Sequence, residues 1–274
     1  MPINIDTIRT VVIEQIIEET PTVKTFIFND KFCYKANAGQ FLMLWIPGIE
    51  ELPMSIMVAD KKYYAAITIR KLGYGSTALF NKKVGEILGV RGPYGNQFRI
   101  SKSTNKVLLV GGGTGLVPLL RMTAKLNEMR IDTTVIIGAR SKAEVFFEKK
   151  TNDYLSKTQH KVIITTEDGS YGTKGSATDA MSIIVRREKF DAVYTCGPEL
   201  MMKKVFDIAS SNRLPIQASL ERYMKCGIGI CASCCIADKL VCKDGTVFNE
   251  KQLSIMSEFG RTYRDKSGRK TAFF

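Results

Sequence analysis

Val107-Leu108-Leu109-Val110-Gly111-Gly112-Gly113-Thr114-Gly115-Leu116 is the stretch that decides the fold. Four consecutive apolar residues suit a strand buried on both faces, five small residues make a turn, and residues 116–129 carry apolar positions at helical spacing. Strand, glycine turn and helix in that order open a parallel, doubly wound sheet. Further buried-type strands are predicted at 133–137, 161–165 and 191–195, with helical stretches such as 199–210 between them, so an α/β nucleotide domain is expected over residues 103–218. Glycines between a strand and a helix let phosphate oxygens approach N–H groups where the peptide dipoles favour an anion. This run is not a strict G-x-G-x-x-G, and a turn made only for tight packing explains it equally well. Two other loops add weight. Thr195-Cys196-Gly197-Pro198-Glu199-Leu200 ends another strand, and Thr165-Thr166-Glu167-Asp168-Gly169-Ser170-Tyr171-Gly172 ends a third, although an ordinary Asp/Gly turn also accounts for the latter. All three loops fall at the carboxyl edge of the sheet, where open α/β folds bind ligands. The expected nucleotide residues are Gly111, Gly112, Gly113, Thr114, Gly115, Asp168, Cys196, Gly197 and Pro198.

Upstream, residues 9–17, 23–28, 40–46 and 63–71 are rich in Val, Ile, Thr and aromatics and are separated by turn residues, which predicts a small antiparallel β-barrel over 1–102. A short helix at 75–80 and a strand at 86–91 follow, and Gly92-Pro93-Tyr94-Gly95 reads as a turn. Downstream, residues 219–274 form a third, small unit. Its Cys226, Cys231, Cys234 and Cys242 follow C-x4-C-x2-C-x7-C, whose first three positions match the spacing that holds a [2Fe-2S] cluster in plant-type ferredoxins. Glycines 227 and 229 let backbone amides approach cluster sulfurs. A structural zinc site also uses four thiolates, usually as paired short elements. A disulfide framework suits small secreted chains rather than 274 residues with seven cysteines. Cys33, Cys196 and Cys235 read as small buried apolar side chains.

Length allows two or three domains. Apolar residues make up 45% of the chain, and none of their runs approaches the ~18 that a membrane span needs. The opening Met1-Pro2-Ile3-Asn4-Ile5-Asp6 has no basic stretch followed by an apolar one, so no secretory signal is expected, and free thiols suit a reducing cytoplasm. The net charge of +13 invites a nucleic-acid reading, yet the lysines are scattered among acids and no DNA- or RNA-binding motif accompanies them. Attraction to anionic cofactors and an acidic protein partner is the better use. Arg261, Arg264, Lys266, Arg269 and Lys270 against Asp265 form the densest basic stretch, either a partner contact or a mobile tail. His160 is the only histidine and precedes a strand in a polar loop, which suits a surface residue. No catalytic acid, base or nucleophile is assigned.

Leu52-Pro53-Met54-Ser55, Gly73-Tyr74-Gly75-Ser76, Gly111-Gly112-Gly113-Thr114-Gly115, Cys196-Gly197-Pro198 and the Cys226 cluster, in that order, resemble the ferredoxin-reductase superfamily. With Glu167-Asp168-Gly169-Ser170-Tyr171-Gly172, Glu221-Arg222-Tyr223-Met224-Lys225-Cys226-Gly227-Ile228-Gly229 and Val241-Cys242-Lys243-Asp244-Gly245-Thr246-Val247-Phe248, nearly the whole chain is similar to the electron-transfer subunit family of dihydroorotate dehydrogenase, the PyrK family. The resemblance implies FAD in the barrel, NAD(P)(H) as co-substrate and the [2Fe-2S] cluster, in a relay that ends at the flavin of a catalytic dihydroorotate dehydrogenase subunit. It implies a heterotetramer serving pyrimidine biosynthesis. Flavin joins hydride chemistry to one-electron chemistry, so positioning matters more than acid–base groups. Pro53, Met54 and Ser55 would lie along the isoalloxazine, Thr68, Ile69 and Arg70 beside it, and Gly75, Ser76 and Thr77 at its diphosphate. Leu52 stands where the superfamily commonly has an arginine on that diphosphate; either Arg70 or backbone amides compensate, or flavin binds less tightly. The gap between Cys234 and Cys242 is also short for the family. Arg140-Ser141-Lys142 could reach a 2′-phosphate, or be a plain turn.

Three rival functions share parts of this pattern. One is the reductase subunit of a bifurcating ferredoxin-NADP transhydrogenase or soluble hydrogenase. Another is a self-contained reductase with a diffusible acceptor. The third is a non-enzymatic metal or redox-sensing module bound to nucleic acid.

Overall fold

The computed structural model describes residues 5–273. Residues 1–4, part of the stretch examined for a secretory signal, lie outside that range, as does residue 274. The first sheet holds β1 (Arg9–Thr20), β2 (Val23–Asn29), β3 (Phe41–Ile46), β4 (Glu50–Ser55), β5 (Met57–Val58), β6 (Tyr64–Arg70) and β7 (Ile87–Tyr94), in the spatial order β4-β3-β7-β1-β2-β6-β5 with antiparallel pairing throughout. Strands β4 and β5 stand at opposite ends of that order yet are separated in sequence by Ile56 alone. One segment therefore pairs with β3 through its first half and β6 through its second, which closes the sheet into the expected barrel. Pro53 sits on this seam, where a missing N–H is tolerated. The expected turn at Gly92-Pro93 is instead the end of β7, which passes a register shift opposite Phe41 and Met43. Two short helices, α1 (Lys31–Tyr34) and α2 (Tyr74–Phe80), cover the barrel; α1 was not foreseen and is capped by the Asp30 carboxylate, which accepts from Phe32 N and Cys33 N.

The second sheet contains β8 (Lys106–Gly112), β9 (Asp132–Ala139), β10 (His160–Thr166), β11 (Thr173–Lys174), β12 (Ala192–Cys196) and β13 (Ile216–Ser219) as parallel neighbours in the order β11-β10-β9-β8-β12-β13. Helices α3 (Leu116–Glu128), α4 (Glu148–Tyr154), α5 (Ala177–Arg187) and α6 (Glu199–Ser211) connect them. From the central β8 the chain winds outward to β9 and β10, then returns to add β12 and β13 on the other side. The switch point lies between β8 and β12.

The cysteine segment contributes a hairpin, β14 (Cys235–Ile236) with β15 (Lys239–Leu240), then α7 (Val241–Asp244), β16 (Val247–Asn249), α8 (Glu250–Ile255), and a last hairpin, β17 (Thr262–Arg264) with β18 (Lys270–Ala272). Strand β16 pairs antiparallel with β13, so this segment extends the nucleotide sheet rather than standing apart. One apolar cluster combines Phe41 and Met43 of the barrel, Ala218 and Leu220 of the sheet, and Met224, Cys242 and Phe248 of the cysteine segment. The basic tail, expected as a partner contact or a mobile end, is hairpin structure, with Lys270 Nζ 2.8 Å from the Glu258 carboxylate. His160 is exposed at the start of β10, as its polar setting suggested.

Barrel and sheet are pinned by one buried cation. Arg121 on α3 donates from Nε to Ala36 O (2.7 Å), from Nη1 to Met57 O (3.0 Å) and from Nη2 to Cys33 O (3.3 Å) and Tyr34 O (2.5 Å). Burial lowers its pKa to about 10, because four carbonyl dipoles replace water without a carboxylate. Arg121→Met should strand those carbonyls and lower unfolding free energy by about 3 kcal/mol in urea titrations of the full chain. A loss below about 1 kcal/mol would show that water takes over the carbonyls.

Candidate functional site

The site grows from the two glycine loops at the switch point. A side chain at Gly115 would collide with the backbone of Gly197 and the carbonyl carbon of Cys196, so this approach requires glycine. Gly113, at φ +55°, turns β8 into α3. Gly111 and Cys196 do not reach the crevice. Gly111 makes room for Leu116 and Leu119, and Cys196 is buried behind the loop with its thiol pushed up by desolvation.

Beyond the loops lies a crevice of three lobes, and Arg70 borders each of them. The first, about 640 Å³, lies between Gly112–Gly115, Gly197 and Pro198 on one side and the β17–β18 hairpin on the other. The second, about 370 Å³, runs to the ends of β9 and β10 past Arg140, Glu144 and Glu167. The third, about 280 Å³, brings together Leu52, Pro53, Met54, Ser55, Thr68, Ile69, Arg70 and Ser76 of the barrel with Thr114 and with Ser219, Glu221, Arg222 and Thr246. All the expected barrel residues except Gly75 and Thr77 meet there. Gly75 lies against the Glu50 side chain, and the Ser76 hydroxyl accepts from Leu72 N and Gly73 N, the two residues ahead of α2. A larger groove of about 1000 Å³ beside Arg121 contains none of the glycine-loop or cysteine residues.

Charge in the crevice is unevenly matched. Arg70 Nε is buried without a partner, and Nη2 is 3.5 Å from Glu144. Arg140 is taken by the same Glu144 at 2.5 Å, leaving it committed rather than free for a 2′-phosphate. Asp168, expected to touch nucleotide, is exposed and turned into its own loop, where its carboxylate accepts from Ser170 N (2.9 Å) and Oγ (2.6 Å); its neighbour Glu167 lines the second lobe instead. Glu221 and Arg222, which the sequence offers only as part of a family motif and not as site residues, follow β13 and so stand at the same carboxyl edge. Glu221 is open to solvent on the crevice side, and the protein atoms crowded around it raise its carboxyl above the ordinary range. Arg222 forms a buried ion pair with Glu199, the first residue of α6, and its Nε has no partner.

The four cysteines stand as two pairs. Cys226 Sγ accepts from Ile230 N (3.3 Å) and Cys231 N (3.5 Å), and Cys234 Sγ accepts from Cys242 N (3.4 Å). Against desolvation, the amides of Cys231, Ile228 and Ile230 bring the Cys226 thiol down to about 6, whereas burial and Cys234 push Cys242 up to about 12. Among the described residues no three ligating side chains converge on one point, as a single-ion site would need. Two thiol pairs with amides aimed at sulfur fit a two-iron cluster. Cys235, expected to be buried, is half-buried and accepts from Arg264 Nε at 2.9 Å.

Comparison with known proteins follows this geometry. Residues 221–254 match the iron-sulfur cluster binding domain of dihydroorotate dehydrogenase B, and residues 109–207 match the oxidoreductase NAD-binding domain. A relative from Methanocaldococcus jannaschii, named "Probable dihydroorotate dehydrogenase B (NAD(+)), electron transfer subunit", is 44% identical over 94% of this chain and 96% of its own length. One of the same name from Pyrococcus furiosus is 42% identical over 96% and 98%. The chain belongs to the electron transfer subunit family of dihydroorotate dehydrogenase B. A solved NADH-dependent reduced ferredoxin-NADP oxidoreductase, studied for flavin-based electron bifurcation, superposes with a TM-score of 0.80 at 27% identity, covering 91% of this chain and 92% of that one. The cytochrome b5 reductase domain of Ulva prolifera nitrate reductase, at 13% identity and a TM-score of 0.63, shares the fold. No helix among the described residues is long and apolar enough to cross a membrane.

The matched iron-sulfur segment contains the four paired cysteines and Cys235 and excludes Cys33 and Cys196; Cys235 stands outside the two pairs, with its sulfur taken by Arg264. Cys242→Ser should therefore lower iron and labile sulfide per chain severalfold, while Cys235→Ser leaves both near their original level. Retention of iron in the Cys242 variant with loss in the Cys235 variant would reassign the fourth ligand.

Proposed function

We propose that this chain passes electrons between NAD(H), FAD and a [2Fe-2S] cluster, to or from the flavin of a catalytic dihydroorotate dehydrogenase subunit. The third lobe carries the proposal, because barrel, nucleotide sheet and cysteine segment each supply a wall of it. Bound flavin supplies hydride exchange with the nicotinamide and single-electron exchange with the cluster. The protein's part is to orient and enclose. Pro53, Met54 and Ser55 form the seam side of the lobe, and Thr68, whose hydroxyl is 2.8 Å from that of Thr25, holds β6 beside it. Arg70 is the cation positioned for cofactor phosphate, since its side chain borders all three lobes and its guanidinium has only the 3.5 Å contact with Glu144. It takes over the task for which Leu52 has no charge.

In this reading residues 1–102 hold flavin, 103–218 hold the dinucleotide and 219–274 hold the cluster. NAD(H) is favoured over its 2′-phosphate, because Glu144 neutralises Arg140 and Glu167 adds a negative charge in the second lobe. None of the seven cysteines is joined in a disulfide, in keeping with a reducing cytoplasm. The chain acts in a heterotetramer with its catalytic partner. The bifurcating reductase shares the fold and remains the second reading, at lower identity than the dihydroorotate dehydrogenase B relatives.

Mixing the holoprotein with the dihydroorotate-oxidising flavoprotein should make dihydroorotate oxidation depend on NAD+. No gain in NAD+-linked turnover, with both proteins fully loaded, would overturn the proposal. Arg70→Leu should weaken FAD binding roughly tenfold to a hundredfold in equilibrium titrations, and Leu52→Arg in the same chain should recover part of it. Unchanged FAD affinity would remove Arg70 from this role.

A further inference from the structure

The β17–β18 hairpin lies beyond the matched iron-sulfur segment, which ends at residue 254. It is tied to the nucleotide sheet at its base: Gly260 N donates to Glu199 Oε1 (2.8 Å), and Arg222 Nη2 donates to Thr262 O (3.4 Å). On its other side Arg264 reaches Cys235 Sγ, and Tyr263 packs on Phe273 with ring centroids 5.0 Å apart. Held in this way, Tyr263, Arg264, Lys266 and Phe273 face Gly113, Gly115 and Gly197 across the first lobe.

The polar groups of that wall are incompletely matched within the protein. Thr262 Oγ1 and Arg222 Nε are buried without partners. Lys266 enters none of the ion pairs found among the described residues. The only hairpin acid, Asp265, has its carboxylate taken by Ser267 N, Ser267 Oγ and Arg269 N. An anion in the first lobe therefore meets glycine-loop amides on one side and, on the other, Lys266, which is outside those ion pairs, has the Tyr223 ring 6.0 Å from its Nζ and shares the lobe with Glu221 and Asp265.

We infer that the C-terminal hairpin is the outer wall of the dinucleotide site, where Lys266 contacts the diphosphate and Tyr263 offers an aromatic face. The inference rests on reading the first lobe as the NAD(H) site. It makes the basic tail a binding element, and through Arg264 and Cys235 it joins the nucleotide wall to the cysteine loop.

The test is steady-state reduction of ferricyanide by NADH with the full-length holoprotein. Lys266→Glu should raise KM for NADH about tenfold with kcat near its original value, because an interaction made equally in the bound and reacting states has been removed. Lys266→Arg should keep KM within about twofold. Lys266 is exposed, so flavin and iron content should match the unaltered protein, and both are measured alongside. Unchanged KM in Lys266→Glu overturns the inference. So does unchanged KM combined with lost electron transfer to the catalytic subunit, which would make the hairpin a subunit contact. If the unaltered protein is not reduced by NADH, the proposed function itself fails, and the inference with it.

Discussion

The contact of Gly115 with the backbone of Gly197 is the constraint on which the site depends. It holds together the loops that leave the carboxyl ends of the neighbouring strands β8 and β12, and so fixes the floor of the crevice. With that floor set, α3 and α6 leave in fixed directions. Arg121 on α3 then carries the barrel into place, and Glu199 at the start of α6 holds Arg222 and the last hairpin. Each wall of the crevice is thus referred back to one close backbone approach.

The arrangement also explains why the chain needs few catalytic groups. Electron transfer requires carriers to be near each other and shielded from water, and positioned side chains can supply both. Cationic groups gather where phosphates are expected, with Arg70 at the junction of the lobes and Lys266 on the hairpin. Glu144 and Glu167 line the second lobe, and Glu199, Glu221 and Asp265 line the first. The excess of positive charge in the sequence becomes local at these points, while the remainder is dispersed over the surface.

Much of the fold was legible because periodicity is local. The apolar run of β8, the helix after it and the barrel strands β2, β3 and β6 lie within a residue or two of their expected positions, while β1 and β7 each run three residues further than expected. Strand β4 was recognised by its motif rather than as a strand, since Pro53 breaks the pattern and its pairing partners are distant in sequence. The role of Asp168 was misread because two residues carry similar charge and only the loop's own hydrogen bonds decide which of them faces the lobe. Arg121, Glu221 and Arg222 act through partners in other units, which no local pattern reveals. The basic tail reads in sequence as a partner contact or a mobile end for the same reason: Gly260 and Thr262 are tied to Glu199 and Arg222, far back in the chain.

The central claim is that nucleotide, flavin and cluster sites in this one chain are connected. An anaerobic titration of the purified protein with NADH, followed through the visible spectrum, tests it most directly. Flavin and iron-sulfur bands should both bleach, reaching completion near about 1.5 equivalents of NADH, which supplies two electrons to flavin and one to the cluster. A colourless zinc protein, or flavin bands that bleach while the iron-sulfur bands stay unchanged, would contradict the account.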